Sequence, residues 1–215
     1  MAFRRRTSAP VASVATPLAP VPSRLLTQLL EHLEDRDEDL CVLDLGPGTP
    51  GSVDFFASLP CRTKLTFVDA DAVLEDMQSR EAALEEGESL DFTTLLDVWA
   101  KALELPLKQD IDLLLLWDHP HKFPLLAIEA LSSALQPHIH KGTAGYAFGT
   151  LHSDQPMQPY RYSIHDATSV AMRPLENDAL PYSHSQQALA ENFVCMRIAR
   201  GTLLREGHLE LLLEV

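Results

Sequence analysis

Short aliphatic runs alternate with amphipathic stretches along nearly the whole chain, and this alternation constrains the fold more than any single motif. The runs are LCVLDL (40–45), KLTFVD (64–69), DFTTLLD (91–97), IDLLLLWD (111–118) and TAGYAFGT (143–150). Between them lie segments with helical spacing. Leu25, Leu26, Leu29, Leu30 and Leu33 recur on one face of 23–34, Thr49-Pro50 supplies a cap and first helical position, and helices are expected over 71–86, 122–136 and 185–192. Strands that are apolar on both sides and separated by helices belong to a parallel sheet covered on both faces. The end of the chain breaks the rhythm. FVCMRIAR (193–200) and HLELLLEV (208–215) are separated only by a short glycine-bounded turn, so they are antiparallel neighbours. The expected architecture is a three-layer α/β sandwich with a mostly parallel, seven-stranded twisted sheet ending in an antiparallel hairpin.

The length of 215 residues and a 46% hydrophobic composition suit one domain, read here as 23–215. Residues 1–22 carry prolines at 10, 17, 20 and 22 and are expected to be a disordered arm. The arm resembles a transit peptide in being Arg-rich and free of acids, although its prolines spoil an amphipathic helix. No run is long enough to span a bilayer, and no apolar core of a signal peptide follows the arginines. Cys41, Cys61 and Cys195 show no C-x-x-C pairing and read as reduced thiols, which fits a cytoplasmic location. The net charge is −14; residues 1–24 hold four arginines and no acid, so the rest carries −14 − 4 = −18. A body this acidic repels a phosphate backbone, which argues against nucleic acid and for a small-molecule or protein partner.

The strand LCVLDL runs into GPGTPG. Gly46, Gly48 and Gly51 satisfy G-x-G-x-x-G, and Asp69 follows 23 residues after Gly46, as a dinucleotide fingerprint asks. The loop chemistry favours a different ligand. Pyrophosphate is held by backbone N–H groups at the helix start, and Pro47 and Pro50 have none. Asp44 adds a negative charge beside the loop, which suits a cationic ligand.

In its order of elements and in LDLGPG the chain resembles the class I S-adenosylmethionine (SAM)-dependent methyltransferases over about residues 23–215. The resemblance implies a Rossmann-like fold with SAM as cofactor. It implies that Asp44, Gly46 and Gly48 form the cofactor loop, that Asp69 binds ribose hydroxyls and that Asp97 lies near the adenine. Pro50 departs from the family pattern, G-x-G-x-G, which would place a glycine there; Gly51 comes one residue late.

In open α/β sheets ligands sit at the carboxyl ends of the strands. WDHPHKF therefore brings Trp117 and Asp118 to the cofactor side and makes His119 and His121 candidate bases for the acceptor proton. The long connection 151–184 is expected to be an acceptor-side lid or insertion, with Tyr160, Tyr162 and His165 as its contacts and His152, Met157 and Tyr182 nearby. His138 and His140 repeat the H-x-H spacing but precede the fifth strand, at the opposite end from His119 and His121, so no shared metal ion is expected. No Gly-x-Ser-x-Gly or G-K-[ST] motif occurs. The readings are methyl transfer from SAM to an O or N atom of a small-molecule or protein acceptor, a non-catalytic methyltransferase-like scaffold that binds a protein partner, and an NAD(P)-binding oxidoreductase.

Overall fold

The computed structural model describes residues 20–34, 39–151, 153–176, 179–204 and 208–215. Most of the expected arm, residues 35–38 of the DRDED turn, His152 and the turn at 205–207 lie outside the described residues. In chain order the elements are β1 (Val21–Pro22), α1 (Arg24–Glu34), β2 (Leu40–Asp44), α2 (Pro50–Ala57), β3 (Thr63–Phe67), α3 (Ala70–Glu81), α4 (Phe92–Leu103), β4 (Ile111–Trp117), α5 (Leu125–Leu135), β5 (Ile139–Thr150), β6 (Tyr160–Asp166), β7 (Ser169–Pro174), α6 (Gln186–Asn192), β8 (Arg197–Leu203) and β9 (His208–Glu214).

The main sheet has the order β3-β2-β4-β5-β9-β8. β2 pairs parallel with β3 and β4, and β4 with β5, while β9 enters antiparallel between β5 and β8. β4 is buried at every position, which is why its sequence is aliphatic without alternation. On one face the apolar side chains of α3, α4, α5 and α6 form a core around Trp99. On the other face lie α1, α2 and a second, three-stranded sheet of order β1-β7-β6. The three layers and the C-terminal hairpin are as expected.

The strand count is not. DFTTLLD does not form a strand. Asp91 caps a helix by accepting from Thr94 N (2.8 Å), and Leu95, Val98, Trp99 and Leu103 are buried along α4. That spacing has a period of 3.6, visible only when the window runs past Asp97. Among the described residues the sheet therefore has six strands, with β3 at its edge.

The connection 151–184 is likewise more than a loop. It contains the β6–β7 hairpin, in which Ile164 faces Val170 and Arg161 faces Arg173. β1 pairs with β7, so Val21 and Pro22 belong to the fold and not to the arm. Three boundaries also move. β5 begins at Ile139, its register irregular against β4; β8 begins at Arg197, after a turn; and β8 runs on to Leu203.

Candidate functional site

Asp44 is the last residue of β2 and is buried. Its Oδ1 accepts from Gly46 N (2.7 Å) and Trp117 Nε1 (2.6 Å), so one carboxylate ties the glycine loop to the end of β4. The glycines are sterically required. A Cβ on Gly46 would lie 3.0 Å from Asp44 Oδ1, and Gly48 has φ +64° with the Phe67 ring 3.2 Å from where its Cβ would be. Thr49 caps α2 through Ser52 N, with Pro50 at the first helical position, as the sequence implied. Gly51 has a different use from the expected one: it lets β6 approach, since its Cβ would meet Ser163 Oγ at 3.3 Å.

Trp117 has φ +52°, left-handed backbone that a bulky residue rarely adopts. Such a conformation costs on the order of 1–3 kcal/mol and persists only where the surroundings impose it. Here they do. The indole donates to Asp44 and stacks on Tyr162 with centroids 5.3 Å apart and planes 3° apart; Phe148 covers the other side of Tyr162 at 4.7 Å.

Asp118 is fully buried. Its Oδ2 accepts from Tyr160 N (3.2 Å) and the Tyr162 hydroxyl (3.2 Å), whereas Oδ1 has no hydrogen-bond partner in the structure; nor has His119 Nδ1. Burial raises both acids to about 6, against the lowering effect of Gly46 N–H and Trp117 N–H on Asp44 and of Tyr160 N–H on Asp118. The histidines move the other way. Burial, then Lys122, holds His119 well below its ordinary value, and burial, then His184, lowers His121 to about 4. Both rings are neutral at pH 7 and are weak bases. Lys122 pairs with Asp71 across the same rim.

These groups surround a cleft lined by Asp44, Gly46, Gly48, Trp117, His119, Tyr160, Tyr162 and Leu175, among others. Its free volume is about 30 Å³, room for about one water molecule. Ligand pockets usually hold about 300–1,000 Å³. Asp44 and the glycine loop are in place, but a cleft of this size does not fit SAM. The hairpin that carries Tyr162 is firmly seated. Ile164, Val170 and Met172 are buried, and Ile164 N donates to Ser52 Oγ (3.2 Å). Each such apolar side chain contributes about 1.5–3 kcal/mol, so lifting the whole hairpin costs more than most ligands could repay. A larger hollow, about 480 Å³, lies away from the loop, beside Gln28, Lys141, Arg200 and Glu214.

The structure thus brings together Asp44, Gly46, Gly48, Trp117, His119, Tyr160 and Tyr162 on one cleft, with Asp118 and His121 directly behind it. Three expected residues are elsewhere. Asp69 caps α3, accepting from Asp71 N (3.0 Å) and Ala72 N (3.4 Å). Asp97 is on the exposed side of α4, because the strand it was meant to follow is a helix. His165 is exposed on β6, 4.0 Å from Asp166. His138 and His140 lie at the other end of the sheet, bound to Gln109 O (2.8 Å) and Asp112 (3.3 Å). Sequence reasoning missed Phe67, Asp71, Lys122 and Leu175. Asp71 and Lys122 flank the chosen VD and DHPH strings, and only their pairing across 51 residues gives them a place at the rim.

No family model and no curated protein sequence matches this chain. Solved structures resemble it at low identity. A SAM-dependent methyltransferase from Clostridium acetobutylicum is 9% identical, with 89% of this chain aligned to 91% of that one and a TM-score of 0.47. A 1,6-didemethyltoxoflavin N1-methyltransferase from Burkholderia thailandensis, crystallised with its substrate and S-adenosylhomocysteine, is 15% identical, over 88% and 76%, with a TM-score of 0.45. A glycopeptide N-methyltransferase complexed with SAM is 11% identical, over 96% and 100%, with a TM-score of 0.43.

Proposed function

We propose that this chain, which has a methyltransferase-like Rossmann fold, is a SAM-dependent methyltransferase acting on an O or N atom of a small-molecule or protein acceptor. The observation that carries the reading is the Asp44–Gly46–Gly48 loop at the carboxyl end of β2, tied to Trp117 and sharing its rim with the orphaned His119 Nδ1. When bound, SAM supplies a methyl group on a sulfonium. Asp44, mostly ionised at pH 7 with a value near 6, sets a negative charge beside the loop. His119 lines the cleft and is held neutral by burial, whereas Asp118, raised to about 6 by burial, lies behind the cleft and off its lining.

The small cleft favours a second reading, a non-catalytic methyltransferase-like scaffold that binds a protein partner. Titration calorimetry with SAM, S-adenosylhomocysteine and NADH separates the readings. Saturable binding of SAM and its product supports the enzyme; binding of NADH alone would make the chain an oxidoreductase; binding of none supports the scaffold.

A further inference from the structure

One wall of the cleft is the ring of Tyr162. The Tyr162 ring lies parallel to the Trp117 indole, backed by Phe148, and its hydroxyl donates to Asp118 Oδ2. A flat heteroaromatic base placed beside the glycine loop would seek the same indole face, and it cannot share that face with Tyr162. The strand beneath Tyr162 is anchored separately, through buried Ile164 and the Ser52–Ile164 hydrogen bond.

We propose that Tyr162 is an internal occupant of the cofactor cleft and that SAM is admitted only when this side chain swings aside, the β6–β7 backbone staying docked. The proposal rests on the SAM reading and adds to it how the site is regulated. A site open only part of the time binds with its affinity reduced by the open fraction. Whatever holds Tyr162 in place therefore weakens SAM binding, and substitutions that release it strengthen binding.

The test is calorimetry of S-adenosylhomocysteine on the full chain, with thermal melts to confirm folding. Tyr162→Phe keeps the stack and loses only the bond to Asp118, so binding should tighten about tenfold. Tyr162→Ala removes the occupant, so binding should tighten about 100-fold, or about 2.7 kcal/mol. If Tyr162→Ala does not fold, Tyr162→Phe decides. A double cysteine variant checks which part moves. A Cβ on Gly51 would lie 3.5 Å from that of Ser163, within the span of a disulfide, about 3.5–4.5 Å. Gly51→Cys with Ser163→Cys should therefore pin β6 to α2 when oxidised. Binding equal in the oxidised and reduced forms supports a side-chain gate; loss of binding on oxidation would show that the hairpin moves and overturn it. Parent-like or weaker binding by folded Tyr162→Phe and Tyr162→Ala overturns the gate and leaves the SAM reading standing. Absence of binding in every folded form removes the SAM reading, and the gate with it.

Discussion

The two fully buried tryptophans sit on opposite faces of one sheet and live in different surroundings. Trp99 lies among helices. Its Nε1 donates to the Ala127 carbonyl (2.9 Å), and its ring packs on Phe123 in a core of aliphatic side chains. Trp117 lies under the small sheet. It is bound to a carboxylate, strained in its backbone and stacked on a tyrosine that is itself bound to a second buried carboxylate. The same face holds Tyr146, bonded to buried Glu210 and near Ser23 at the start of α1. One face is built on an apolar core among helices, whereas the other also holds Asp44, Ser52, Tyr146 and Glu210 hydrogen-bonded in its interior.

The largest expected effect tests the apolar face. Trp99→Ala should cost about 3–5 kcal/mol in denaturant unfolding, because a large ring and its hydrogen bond to the Ala127 carbonyl are lost from the core. A loss under about 1 kcal/mol would mean that the helical face is loosely packed.

On the second face Ser52→Ala should cost about 1–3 kcal/mol, since it leaves the buried Ile164 N–H without an acceptor. Protease sensitivity of the β6–β7 hairpin should rise along with the loss. Unchanged stability would show that the small sheet is held by apolar contacts alone.

Titration sharpens the contrast further. Asp44 and Asp118, raised from 3.8 to about 6, keep protons when folded that the unfolded chain releases; the stability this gives is full below pH 3.8 and lost as pH rises through 6. His121, lowered from 6.5 to about 4, does the reverse, as does His119: their contribution is full above pH 6.5 and lost as pH falls. Glu210, raised by burial, adds to the acid side. Acids and histidines therefore oppose each other near pH 5. Asp118→Asn removes one acid, so its stability-against-pH slope there should exceed the parent's by about 1.4 kcal/mol per pH unit, toward greater stability at higher pH. Parallel profiles would show that Asp118 titrates normally. The smallest effect returns to the helical face. Ser185 caps α6 through Ala188 N (3.1 Å), and Ser185→Ala should cost about 1 kcal/mol, read as a small drop in melting temperature.

The helical face is legible in the sequence because its elements are long and periodic. α3 and α5 can be placed within a few residues, and α4 reads as a strand only when six residues of a 12-residue helix are taken as a unit. The small sheet is not legible. β1 has two residues, and its partner β7 lies about 147 residues away (Pro22 opposite Ser169); no local pattern announces such pairing. The glycine loop can be read from spacing, and its link to Trp117 follows from strand order. The stacking of Tyr162 on Trp117 cannot be read at all, because it depends on where a hairpin from the long connection comes to rest. Asp69 caps a helix and Asp97 lies on a helix face, uses of aspartate that spacing alone does not tell apart from ligand contact.

Among the described residues no strand pairs with the outer edge of β3. Leu40 N bonds to Arg62 O and Val68 N to Asp44 O, so even-numbered residues of β3 face β2, and the backbone groups of Thr63, Leu65 and Phe67 point outward. A rim of this kind is a template on which a second chain can add and polymerise. Here the template is poor. It is five residues long, and exposed Arg62 and Lys64 put positive charge at its start. Screening those charges with salt weakens that protection, so concentrated solutions should stay clear longest at low ionic strength.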